Sequence, residues 1–170
     1  MRVIGIDPSL TATGIAYADG STSTVTYEKT TTGDQRLAVI YELVQDATAV
    51  PFRAVSVDLA VVEDLPTHAH GAGKTGMAQG VVRLALISLS VPYILVTAAT
   101  LKKLATGKGT ASKSEMRMQL YKRFGLDIAD DNQVDAWWLR AMGCAHYGDP
   151  VIDLPKTHLA ALAAVKGWPT

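Results

Sequence analysis

Hydrophobic positions in this chain come first as short runs and later as helical stripes. Residues 2–7 are apolar and rich in β-branched side chains, with Val3, Ile4 and Ile6 leading to Asp7, and predict a buried strand. Pro8, Ser9 and Leu10 turn the chain, and residues 14–17 resume an extended run. Asp19-Gly20 is a turn signal before a third strand over 24–29, so an antiparallel meander is expected. Leu37, Ile40, Tyr41 and Val44 then recur at helical spacing, with Asp34 as the expected N-cap. Residues 54–62 are continuously apolar apart from Ser56 and Asp58, and end on Glu63. Such a run suits a strand buried on both faces among parallel neighbours.

Residues 67–76 read as a loop of Gly, His and Ala, followed by a helix over 77–90, a short strand over 92–96 and a brief helix over 98–104. A basic Gly-rich loop follows at 106–110, and Ser112 with Glu115 forms a capping box for the next helix. Asp130 or Asp131 caps another, with Val134, Trp138, Ala141 and Ala145 as its apolar stripe. Pro155 opens a last Ala-rich helix ending near Gly167. The alternation predicts an α/β fold: a mixed five-stranded sheet, three antiparallel strands plus parallel ones, with helices on both faces. No internal repeat or long linker interrupts it, so a single domain over 1–170 is expected, with a C-terminal helical extension at about 151–170.

Composition adds a soluble, reducing-compartment character. One cysteine, Cys144, excludes an internal disulfide and a cysteine-based zinc cluster. No secretory leader pattern and no apolar stretch of membrane-spanning length is present, so a cytoplasmic protein with no membrane partner is expected. The net charge of zero hides a segregation. Residues 1–64 carry four Lys/Arg against nine Asp/Glu, residues 65–126 nine against one, and residues 127–170 three against six. A +8 middle between acidic ends suits a polyanion grip beside an acidic centre.

The acids themselves carry the chemistry. Asp7 and Glu63 end apolar runs, and Asp131 and Asp135 lie one helical turn apart. Carboxylates brought to strand ends and one helix face are what hard divalent cations require for phosphodiester chemistry. Bland roles exist for each: Asp7 before Pro8 suits a turn, and Asp131 suits a helix N-cap or first turn. Asp64 rivals Glu63, although strand alternation sends the two to opposite faces.

Four motifs extend the pattern. Gly5-Ile6-Asp7-Pro8-Ser9 is followed by Thr13-Gly14, and Val62-Glu63 by Gly76-Met77-Ala78-Gln79-Gly80. Gly109-Thr110-Ala111-Ser112-Lys113 and Asp130-Asp131-Asn132-Gln133-Val134-Asp135-Ala136 complete the set. In this order they resemble the RuvC-type Holliday junction resolvases of the RNase H-like superfamily, over residues 3–140. Similarity is strongest to short phage-type members, and the Ala/Thr-rich composition fits an actinobacterial virus.

The resemblance implies a homodimeric crossover junction endonuclease that resolves four-way DNA by paired nicks, leaving 5′-phosphate and 3′-hydroxyl ends. It implies Asp7, Glu63, Asp131 and Asp135 as ligands to two Mg²⁺ ions per site, with Mn²⁺ able to substitute. Some members place the third ligand three residues before the last, which leaves Asn132 as a rival to Asp131. Lys113 is expected to stabilise the scissile phosphate, and Lys102, Lys103, Lys108 and Arg117 to join it in binding DNA. The helix after Glu63 is the expected dimer contact. Members often carry an aromatic residue just after the second carboxylate, where this chain has Leu65-Pro66-Thr67.

Other readings remain in view. An RNase H-like nuclease of flaps, forks or RNA–DNA hybrids would share the acids, and an inactive branched-DNA-binding protein would share the basic strip. An actin-like ATP-binding fold shares a Gly-Ile-Asp motif but needs two lobes, for which 170 residues leave no room. Gly73-Lys74-Thr75 mimics a P-loop end, but His68 stands at the required glycine. His68 and His70 read as a solvated loop or a DNA contact, Cys144 as a helix-packing residue, and Trp137 and Trp138 as core and dimer-surface groups.

Overall fold

The computed structural model describes residues 1–49, 57–65, 72–151 and 153–169. A five-stranded sheet has the order β3-β2-β1-β4-β5. Its strands are β1 (Val3–Asp7), β2 (Gly14–Ala16), β3 (Thr22–Thr24), β4 (Leu59–Glu63) and β5 (Tyr93–Val96). β1 pairs antiparallel with β2 and parallel with β4, so the mixed sheet expected from the chain order is present. The helices are α1 (Gly33–Thr48), α2 (Ala72–Ser88), α3 (Ala98–Thr106), α4 (Lys113–Phe124), α5 (Asp131–His146) and α6 (Lys156–Leu159). Among the described residues, no helix is long and apolar enough to cross a membrane.

Strand alternation divides the interior into two layers. Ile4, Ile6, Ala60 and Val62 face α1 and α2, where they pack with Ile40, Val44, Val82 and Leu86. Val3, Leu59, Val61 and Val96 face the opposite side and pack with residues of α3, α4 and α5. Asp7 and Glu63 follow the second set by the period of two, so both carboxylates belong to the α5 side. Neighbouring Asp64 accepts the Leu65 N–H at 2.8 Å and borders the same cavity, but stays outside the close acid cluster.

Two glycines seat α5 directly on the sheet. A Cβ on Gly5 would lie 1.9 Å from the Ala136 carbonyl oxygen, and one on Gly14 2.3 Å from that of Asn132. Only a residue without a side chain permits this backbone approach. The N-terminal half of α5 therefore lies against the C-terminal end of β1. Farther along, Trp137 is 3% and Trp138 0% exposed, so both are core residues and neither serves as a surface group. Cys144 is buried in helix packing as expected.

Several boundaries differ from those the sequence suggests. β3 begins at Thr22, because the tight turn at Gly20 (φ +93°) pairs Ala16 with Thr22 and Gly14 with Thr24 at once. Thr32, not Asp34, caps α1: its side chain accepts the Gln35 N–H, and the Gln35 side chain accepts the Thr32 N–H at 2.8 Å. β4 starts at Leu59, while residues 54–56 lie outside the described set. α2 begins five residues early, at Ala72. The last helix is broken into α6 and a 3₁₀ turn at Leu162–Ala164. There His158 anchors to the Leu104 carbonyl at 2.7 Å, and Ala161 and Val165 enter the core. His68, His70, Pro66 and Thr67 lie outside the described residues.

Candidate metal centre

Parallel pairing brings two strand ends together. Ile6 is in register with Val62, so the next residues, Asp7 and Glu63, emerge side by side at the C-terminal edge of the central strands. Gln79, buried on α2, secures that edge by donating to the Glu63 carbonyl at 2.9 Å. It belongs to the Gly76–Gly80 motif, but nothing in spacing alone assigns it this role.

The third acid comes from α5. Asp130 is the N-cap, its carboxylate accepting the Asn132 and Gln133 N–H groups at 2.8 and 3.3 Å. This satisfies two of the donors that a helix start leaves unpaired. The helix then presents Asp135 to the strand ends. One carboxylate oxygen from each of Asp7, Glu63 and Asp135 lies within 4.8 Å of the others.

Crowding three acids in a half-buried site disturbs their titration. Burial is the largest cause of a rise in Asp7 well above the ordinary carboxylate range, with the charges of Glu63 and Asp135 adding to it. Glu63 is pushed up to about 7, by burial and then by Asp135. Asp135 is pushed up to about 6, again chiefly by burial, with Lys113 opposing the rise and Asp131 adding to it. A hydrogen bond between the Asp7 and Glu63 carboxyls couples their titration, so the two gain and lose protons as a pair. The set holds hard oxygen donors whose mutual repulsion only protons or a cation can relieve. Such a donor set fits a divalent metal ion.

A cavity of about 250 Å³ opens over these acids, and Ser9, Thr75, Lys113 and Asn132 share its lining. Asp131 is placed differently from the four-ligand expectation. Its side chain is 46% exposed and its carboxylate meets Lys113 Nζ at 3.5 Å, outside the cluster of three. Asn132, the rival position, faces the cavity instead. The roll of α5, which is seated on Gly5 and Gly14, turns Asn132 toward the cavity and Asp131 toward Lys113.

The expected DNA-binding cations divide into three kinds. Lys113 stands at the cavity rim, and Lys102 shares a smaller adjoining cavity with Glu63, Asp135 and Lys113. Lys102 lowers both acids electrostatically, which places it nearer the chemistry than an arm-binding role suggests. Lys103 and Lys108 are exposed. Arg117 is held by Asp127, with N–O distances of 2.6 and 3.1 Å.

Comparison with known proteins accords with this geometry. The family model for crossover junction endodeoxyribonuclease RuvC matches residues 3–140. The RuvC protein of Burkholderia mallei is 32% identical over 145 residues, covering 76% of this chain and 78% of its own. That of Paraburkholderia phytofirmans is 30% identical over 135 residues, covering 74% and 73%. The structure of Thermus thermophilus RuvC in complex with a Holliday junction substrate aligns with a TM-score of 0.69 at 23% identity. It covers 86% of this chain and 96% of its own, and shares the fold. With four motifs in order, three converging carboxylates and these matches, the chain belongs to the RuvC family of crossover junction endodeoxyribonucleases.

Proposed function

We propose that the protein is a single-domain, metal-dependent endonuclease that resolves Holliday junctions, acting on branched DNA in the cytoplasm of a bacterium or an infected host. The observation that carries this reading is the convergence of Asp7, Glu63 and Asp135 under a cationic rim, in a chain of this family. These three would hold Mg²⁺, with Mn²⁺ as a substitute and two ions per site. When bound, such ions supply an activated water and neutralise the departing 3′ oxygen. Asn132 offers a neutral carboxamide oxygen on the same wall, and we assign it, ahead of Asp131, as the fourth donor. Lys113 Nζ sits at the rim, where a scissile phosphate gains a cation as charge develops on its oxygens. Lys102 adds a second positive charge beside Glu63 and Asp135. The products carry 5′-phosphate and 3′-hydroxyl ends.

A four-way junction with two-fold symmetry needs two sites, which a C₂ dimer supplies. Support comes from α2, where Gly73, Met77, Gly80, Leu84 and Ile87 are all exposed. They follow alternating steps of four and three residues, the seam of a helix pair. Leu84 is 59% and Ile87 60% exposed, and Gly73 and Gly80 leave open space for close approach. Cleavage of a labelled four-way junction beside flap, fork and RNA–DNA hybrid substrates, each with Mg²⁺, Mn²⁺ or EDTA, tests the assignment. Paired symmetric nicks on the junction, lost in EDTA, support it. Equal or better cutting of the other substrates overturns it.

A further inference from the structure

The outer face of α4 combines two large exposed apolar side chains with a cationic edge. Met118 is 49% and Tyr121 56% exposed. Met118 separates two shallow grooves. One contains Lys108 and Lys122. Its acid, Glu115, is already engaged by the Ser112 N–H at 2.7 Å in the capping box. The other groove, about 350 Å³, is lined by Met118, Tyr121 and Arg117, whose charge Asp127 meets. The face is therefore positive along one flank and apolar along the other.

That asymmetry has a natural complement. A duplex presents phosphates outward and keeps its base faces stacked inside. An unpaired strand presents phosphates along one edge and flat base faces along the other, which cation-plus-aromatic surfaces recognise. Location points the same way: α4 begins at Lys113 on the rim of the acidic cavity. Tyr121 lies eight residues on, about 12 Å along the axis, the length of three to four stacked nucleotides. Segment 101–126, which contains this face, carries seven Lys/Arg against one acid, which favours a polyanionic partner over a basic one.

We propose that the outer face of α4 is a platform for an unpaired segment of the DNA substrate, with bases against Tyr121 and Met118 and phosphates at Lys108 and Lys122. The platform rests on the nuclease reading of the adjacent site and can be tested apart from it. The probe is 2-aminopurine, whose fluorescence falls on stacking, placed in a single-stranded oligonucleotide and at the centre of a four-way junction. Asp7→Asn serves as the background that holds the DNA uncut. Tyr121→Ala should abolish protein-induced quenching and weaken single-strand binding on the order of tenfold, leaving duplex affinity unchanged. Tyr121→Phe should retain both, because it keeps the ring.

Quenching by Tyr121→Ala equal to that of the background protein overturns the platform. So does a Tyr121→Ala protein whose only change is its sedimentation, since the face then joins protein chains. Tyr121-dependent quenching, together with failure of the protein with Asp7 intact to cut junctions, leaves the platform standing and removes the resolvase reading instead. Junction cutting without such quenching does the reverse.

Discussion

Replacing Glu63 by glutamine should stabilise the metal-free protein above pH 7, although it removes a proposed ligand. Glu63 is raised in the folded state from its ordinary 4.5 to about 7. Between those values the folded protein holds a proton that the unfolded chain has released, so stability falls as pH rises. The effect is fully retained below about pH 4.5 and fully lost above about pH 7. At 1.36 kcal/mol per unit, the shift corresponds to about 3 kcal/mol. Asp7 and Asp135 titrate with Glu63, so the effect belongs to the cluster and single-site values do not add. His146, lowered by burial, works in the opposite direction, since its unfolded form binds more protons near neutrality. Comparing wild type with Glu63→Gln cancels that contribution. The assay is urea unfolding in EDTA from pH 4.5 to 8. The difference in unfolding free energy should move by about 3 kcal/mol in favour of the variant across this range. Adding Mg²⁺ at pH 8 should recover stability in wild type and much less in the variant. A pH-independent difference would refute the claim that burial, with the neighbouring acids, holds Glu63 protonated in the metal-free site.

Three further outcomes follow from particular contacts. Asn132→Asp should lower the Mg²⁺ concentration giving half-maximal nicking on the order of tenfold by adding a charged donor, whereas Asp131→Asn should leave it unchanged; the opposite pattern in a metal titration restores Asp131 as the ligand. Gly5→Ala places a methyl 1.9 Å from the Ala136 carbonyl oxygen, so α5 must shift. Its cost should be on the order of 3 kcal/mol in urea unfolding, with loss of nicking although every carboxylate remains; a change under about 0.5 kcal/mol contradicts the seating of α5. Ile87→Glu should give a folded monomer by sedimentation, because the side chain is 60% exposed on the proposed seam, and a dimer that persists removes α2 from the interface.

Much of the centre was legible because strand chemistry is local. Asp7 and Glu63 each end an apolar run, and the period of two distinguishes Glu63 from Asp64 without a structure. Asp135 was legible from its motif. What could not be read was the roll of α5, since Asp131 and Asn132 both lie near the face of Asp135 at helical spacing. The choice between them depends on Gly5 and Gly14 meeting the helix backbone, which are contacts between distant parts of the chain. β3 lies earlier than the sequence pattern suggests for a related reason: its register is dictated by the turn at Gly20 and the length of β2, not by the apolar content of residues 24–29. The broken last helix reflects tertiary anchoring by His158, which an alanine-rich pattern does not reveal.

In the function proposed for this chain, Asp7, Glu63 and Asp135 hold the metal ions that cut a DNA junction. The most direct measurement compares wild type and Asp7→Asn on a labelled four-way junction in Mg²⁺, with binding followed in parallel by gel shift. Wild type should give paired nicks and Asp7→Asn none detectable, with junction affinity in the variant within a few-fold of wild type. Nicking by Asp7→Asn at the wild-type rate would contradict that function.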